Sequence, residues 1–133
     1  MNLSAEISVG EFLDKVTILE IKSERIGDPA KLSNVKRELD TLRNIWSASP
    51  FSRQDLVAEI AELKRINEKL WQIEDDIRDK EAAGAFDDVF IQLARAVYIT
   101  NDERAAVKRR INVKVGSTLI EEKSYADYRR DGK

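Results

Sequence analysis

An all-α antiparallel bundle is the fold that this 133-residue sequence predicts, and three observations carry the prediction. Only 5 Gly and 2 Pro are available for turns, too few for a chain of many short strands. Apolar residues make up 42% of the chain and recur at alternating spacings of three and four, the helical period. Ser8 with Glu11, and Ser52 with Asp55, place a hydroxyl three residues before a carboxylate ahead of periodic stretches, as capping boxes do.

The first helix is expected over about 9–25, opened by Ser8 and closed near Gly27. Asp28-Pro29 then supplies an N-cap and a first-turn proline for a second helix over about 29–46, whose stripe is Leu32, Val35, Leu39, Leu42 and Trp46. Ser47 to Phe51 breaks the pattern. A third helix is expected over about 53–82, carrying Leu56, Ile60, Leu63, Asn67, Leu70, Glu74 and Ile77 on one seam, and Ala82-Ala-Gly-Ala85 marks a reversal. The fourth, over about 86–115, carries Phe86, Phe90, Leu93, Val97, Thr100, Arg104, Val107 and Ile111. Helices three and four thus read as a long coiled-coil-like hairpin, and Thr100 to Glu103, a capping box in form, marks where helix four would break if it breaks. Gly116 stops it, and 117–133 reads as a docked arm with tyrosines at 125 and 128. All four helices and the arm belong to a single domain, 1–133. The first two helices cover only part of the long seam, so a homodimer is expected to cover the rest.

Composition excludes several chemistries. The sequence has neither Cys nor His, which removes disulfides, Cys or His metal sites, thiolate nucleophiles and imidazole bases. Lys plus Arg number 23 against 25 Asp plus Glu, so no global field draws the chain to nucleic acid or to anionic lipid. The short basic runs Lys108-Arg109-Arg110 and Arg129-Arg130 lie beside acids with no interleaved aromatics, and nucleic-acid binding is not expected. The apolar runs are far shorter than a membrane helix, and the first residues lack a basic segment followed by an apolar core. The expectation is a soluble, cytoplasmic protein without a membrane partner.

The informative positions are polar residues on apolar stripes. At 100° per residue Glu20 shares the face of Val9, Leu13 and Val16, so it is read as pointing inward, and apolar residues on other sides make helix one central. Asn67 and Glu74 interrupt the third seam, Arg78 stands one turn beyond Glu74, and Arg104 interrupts the fourth. Glu20, Asn67, Glu74, Arg78 and Arg104 form the candidate cluster, with Trp71 and Tyr98 near its wall. The preferred reading is a structural ion-pair network, with a ligand site as the alternative. Glu74, Asp75, Asp76 and Asp79, with Glu59 and Glu62, invite comparison with the Mg²⁺ sites of all-α nucleotide pyrophosphohydrolases, but they spread around the helix as a solvated face does. Lys15, Lys22, Arg95 or Arg104 could hold an anionic metabolite as helical chorismate mutases do, a poor match because here the long helices come third and fourth.

Four segments, ISVGEFLDKVTILEIK from Ile7, NEKLWQIEDDIR from Asn67, LARAVYITNDERAAVKRRIN from Leu93 and GSTLIEEKSY from Gly116, resemble an uncharacterised bacterial family of small helical proteins, a domain of unknown function. The resemblance spans nearly the whole chain. It implies no reaction, but an accessory role beside glycosyltransferase-like or repeat proteins of surface-polysaccharide pathways. It marks Glu11, Asp14, Lys15, Glu20 and Lys22 on helix one, and Asn67, Trp71, Glu74 and Asp75 on helix three. On helix four and the arm it marks Arg95, Tyr98, Asn101, Asp102, Arg104, Glu121, Glu122, Lys123 and Tyr125. The resulting reading is a non-enzymatic helical interaction or accessory module without a cofactor or metal, homodimeric and open to a protein partner. The alternative is a small carboxylate-based enzyme.

Overall fold

The computed structural model describes residues 1–129. The arm residues beyond, Arg130 included, lie outside the described residues. Four α-helices, α1 (Val9–Arg25), α2 (Pro29–Ala48), α3 (Val57–Ala82) and α4 (Asp88–Val115), follow one another with a 3₁₀ turn at Pro50–Arg53. The fold is all-α, and no helix of the described residues is long and apolar enough to cross a membrane.

Helix α1 starts where the Ser8 Oγ accepts from the Glu11 N–H at 3.1 Å. Only this half of the capping box is made among the described residues, because the Glu11 carboxylate accepts instead from Lys108 Nζ at 2.6 Å. Helix α1 is central, packing on α2, α3 and α4. Val9 and Leu13 join Leu56, Leu63, Ile66, Val107 and Ile111 in one apolar cluster, while Val16 and Leu19 meet Leu39 of α2 in a second. Each such side chain taken out of water contributes about 1.5–3 kcal/mol, so α1 is the piece that joins the two clusters. Helix α2 buries a single residue, Leu39, and is held through that strip and through Trp46, whose ring stacks on Phe12 at 6.1 Å.

Helix α3 begins at Val57, later than the residue 53 expected from Ser52 and Asp55. The reason is local. Ser49 caps the 3₁₀ turn by accepting from the Phe51 N–H at 3.1 Å, Phe51 packs against the core, and Asp55 Oδ1 accepts from the Val57 N–H at 3.3 Å. The α3–α4 reversal uses Gly84 at φ +63°, a left-handed conformation that favours glycine. Asp87 then accepts from the Phe90 N–H at 3.0 Å, so α4 starts at Asp88 and Phe86 lies before it. Lys80 donates to Asp87 across the reversal and holds that carboxyl below its usual range.

At 1.5 Å per residue, α3 with 26 residues and α4 with 28 are about 39 and 42 Å long. They run antiparallel, as the pairs Lys69–Glu103, Arg110–Glu62 and Lys114–Glu59 show. Helix α4 does not break at Thr100, which is fully buried inside it, and Gly116 ends it at φ +72°. Residues 117–129 then double back along α4 of the same chain. Glu121 reaches Lys108, Glu122 reaches Arg109, Lys123 reaches Asp102, and the Tyr128 ring meets Tyr98 with centroids 5.0 Å apart.

Candidate functional site

The site grows from a close approach of two helices. On α1, Gly10 and Asp14 are one turn apart, and on α4 the residues Arg104, Lys108 and Asn112 are spaced by four, so two polar rows face each other. Gly10 makes the approach possible, since a Cβ there would stand 2.5 Å from the Lys108 carbonyl oxygen and 2.9 Å from Asn112 Oδ1. The Gly10 N–H, one of the unpaired donors at the helix start, donates to Asn112 Oδ1 at 2.7 Å.

That proximity lets the short side chain of Asp14, 1% exposed, reach across to α3 and α4. Its Oδ1 accepts from Asn67 Nδ2 at 2.9 Å and from Arg104 Nε at 2.9 Å, and its Oδ2 accepts from a terminal Arg104 nitrogen. The pairing is a two-pronged fork, the strongest arrangement available to a guanidinium and a carboxylate. Lys108 Nζ is 3.7 Å from Asp14 Oδ2, 2.6 Å from Glu11 and 2.9 Å from Glu121 of the arm. Asn67 also donates to Thr17 Oγ1 at 3.0 Å, and that hydroxyl donates to the Asp14 carbonyl at 2.8 Å. Hydrogen bonding to Asp14 raises the Arg104 pKa further. Burial pulls the Lys108 ammonium down, but its bonds to Glu11 and Glu121 and the charge of Asp14 outweigh burial and hold it above the ordinary lysine value. Three carboxylates face Arg104 and Lys108, and Lys15, 4.0 Å from Glu11, supplies a third cation. These six charges sum to zero.

Beside it lies a groove of about 580 Å³ between α1, α3 and α4. Ile18, Ile21, Leu70 and Trp71 supply its apolar lining, and Lys22, Asn67, Glu74, Asp75, Arg78, Asn101 and Arg104 its polar lining.

The candidate cluster is therefore divided. Asn67 and Arg104 meet on Asp14, whereas Glu74 and Arg78 pair with each other at the groove rim, half to mostly exposed. Glu20 joins neither group, which corrects its reading as an inward partner of Glu74: it pairs with Lys64 at 3.4 Å and Arg43 at 3.9 Å, between α1, α2 and the first half of α3. The placement has a simple cause, because α1 is packed on several sides and the Val9 direction does not point at α4. Tyr98 and Asp102 lie under the arm, whose Lys123 pairs with Asp102 at 3.0 Å, and Tyr125 is exposed with Lys123 Nζ 5.5 Å from its ring centroid. Arg95 lines neither the network nor the groove. Gly10, Thr17 and Asn112 were not legible as site residues, though the four-residue spacing of Arg104, Lys108 and Asn112 was a signal. Among the described residues, no group of three or more Asp or Glu is placed to hold a metal ion.

Residues 3–129 match the profile of a family described as "Family of unknown function (DUF6165)". The chain belongs to that family. No curated protein matches the DUF6165 chain, and no solved structure does. The match takes in α1, the groove, the Asp14 network and the arm up to Arg129.

Proposed function

We propose that the chain is a non-enzymatic helical interaction module that works as a homodimer, joined through the end of the α3–α4 pair. The observation that carries the reading is the apolar surface at that end. Phe86, Val89 and Ile91 are 59, 54 and 50% exposed there, with Val89 and Ile91 on opposite sides of α4 and Phe86 packed edge-on against Phe90. Exposed apolar residues gathered at one end of a molecule mark an interaction surface. The same end carries Arg78 and Lys80 together with Asp79 and Asp88, so a two-fold arrangement can set unlike charges opposite each other. The neutral network supports the non-enzymatic half of the reading. The carboxylates nearest the centre face Arg104, Lys108 and Asn67 in fastening α1 to α3 and α4, and Asp14 already accepts three hydrogen bonds with the Lys108 ammonium 3.7 Å from its Oδ2.

Native mass spectrometry of the purified chain tests the reading. A dimer is expected, and Phe86→Asp combined with Val89→Asp should give a monomer with an unchanged far-UV circular dichroism spectrum. A wild-type chain that stays monomeric at high concentration overturns the dimer.

A further inference from the structure

The groove beside the Asp14 network has the makings of a ligand site, and its volume of about 580 Å³ falls within the usual range for small-molecule pockets. Three of its polar groups have unused bonding capacity. Lys22 is half-buried, yet no carboxylate lies within 4.0 Å of it among the described residues, so it is a partly desolvated cation without a counter-ion. Arg104 spends two nitrogens on Asp14, while its remaining terminal nitrogen has only a long 3.4 Å contact to Asn101 Oδ1. Asn67 is 5% exposed and uses Nδ2 twice, but its Oδ1 accepts from no group among the described residues. That oxygen is not one of the fully buried unpartnered atoms, so it meets the groove's solvent and is open to a donor that displaces it.

The chemistry of these three groups specifies a ligand. Lys22 and Arg104 call for an anion. Asn67 Oδ1 calls for a donor close to that anion. Leu70, Ile21 and the Trp71 ring offer an apolar wall for whatever follows. Arg25 lies over Trp71 at 5.9 Å, leaving the indole part of the groove lining rather than part of the closed core. We infer that the groove binds a small carboxylate carrying an adjacent hydroxyl or ammonium and an apolar side chain, a 2-hydroxy or 2-amino acid. Its carboxylate sits between Lys22 and Arg104 and its donor on Asn67. The Glu74–Arg78 pair neutralises its own charges, so among the described residues Lys22 and Asp75 are the groove's unpaired charges, and Lys22 is the one open to an anion. This inference does not depend on whether the chain dimerises.

The two tryptophans make a built-in control. Trp71 lines the groove, and Trp46 stacks on Phe12 away from it. In a two-dimensional ¹H–¹⁵N spectrum, the Trp71 indole N–H should shift and saturate on addition of L-phenyllactate or L-phenylalanine, with the Trp46 signal still. A ligand of about a dozen non-hydrogen atoms should give a Kd on the order of 1 mM. 3-Phenylpropanoate lacks the donor and should bind about 10-fold more weakly, since a single buried hydrogen bond is worth about that factor. Phenethylamine lacks the carboxylate and should leave Trp71 unmoved. Which of the first two binds more tightly separates the hydroxy acid from the amino acid. Lys22→Met should abolish the shift without changing the melting temperature, because Lys22 makes no ion pair. The inference is overturned if none of the four probes moves Trp71, if phenethylamine binds as well as phenyllactate, or if Lys22→Met binds as the wild type does.

Discussion

Replacing Asp14 by alanine is the sharpest perturbation of this molecule, because that carboxylate is the acceptor on which three helices converge. Two effects add. Arg104 loses its fork partner, and breaking a buried pair costs about 3–5 kcal/mol when the remaining charge stays trapped. Arg104 is not wholly trapped, since its side chain is 27% exposed and opens onto the groove, and Lys108 keeps Glu11 and Glu121, so the lower end, about 3 kcal/mol, applies. Asn67 loses one acceptor but keeps Thr17 Oγ1, which adds about 0.5–1 kcal/mol. A loss of about 3–4 kcal/mol is a large part of the 5–15 kcal/mol by which domains of this kind are stable. Urea denaturation at neutral pH should show it as a midpoint lowered by about 2 M at the usual slope of 1–3 kcal/mol per molar. A double-mutant cycle with Arg104→Ala should return a coupling of about 2 kcal/mol. Glu20→Ala serves as control. Its carboxylate is 24% exposed and its partners Lys64 and Arg43 are 27 and 54% exposed, so the loss should stay below about 1 kcal/mol. If Asp14→Ala costs no more than Glu20→Ala, or if the coupling with Arg104 is below about 0.5 kcal/mol, the network does not hold the helices together.

Gly10→Ala should destabilise by about 2–3 kcal/mol, because the contact at 2.5 Å is to a backbone carbonyl that cannot swing aside. Thermal unfolding followed by circular dichroism checks it, with Gly27→Ala, where a Cβ would meet nothing within 4 Å, expected to be close to neutral. Lys108 gives the chain a stability term on the alkaline side. Its folded pKa lies above the ordinary 10.5, so the contribution is fully present below that value and is lost as pH rises through the raised one. Urea midpoints measured from about pH 9 to about pH 12 should fall more steeply for the wild type than for Lys108→Met. Parallel curves would remove Lys108 from the network.

The helices were legible because each carries a periodic stripe and because Ser8, Pro29 and Gly116 punctuate them chemically. The late start of α3 was not, since the Ser49 cap and the Phe51 anchor compete with Ser52 and Asp55 for the same few residues. Asn67 and Arg104 were legible as site residues, because a polar group on an otherwise apolar seam requires a partner. Their partner Asp14 was marked by the family resemblance but not by the spacing. Asp14 lies about 140° from Val9 around the helix, and on a helix buried on several sides no single azimuth defines inward. Glu74 was misjudged for a related reason. By that level of α3, α1 has only its last turns left beside the groove, so the seam position looks onto an open cleft rather than onto another helix.

The division of labour at Arg104 ties the two parts of the site together. Nε and one terminal nitrogen are fixed by Asp14, which removes the rotational freedom that a long cationic side chain ordinarily loses when it binds an anion. The side chain, which lines the groove, is thereby ordered before any ligand arrives, an example of a binding group pre-organised by a neighbouring contact. Lys108 stands one turn away but faces three carboxylates and has nothing left to offer. The α4 row thus presents two cations of different availability. One is sealed by α1 and the arm, and the other is shared between the interior and the cleft. It is the placement of Gly10, which sets how closely α1 lies on α4, that decides which is which.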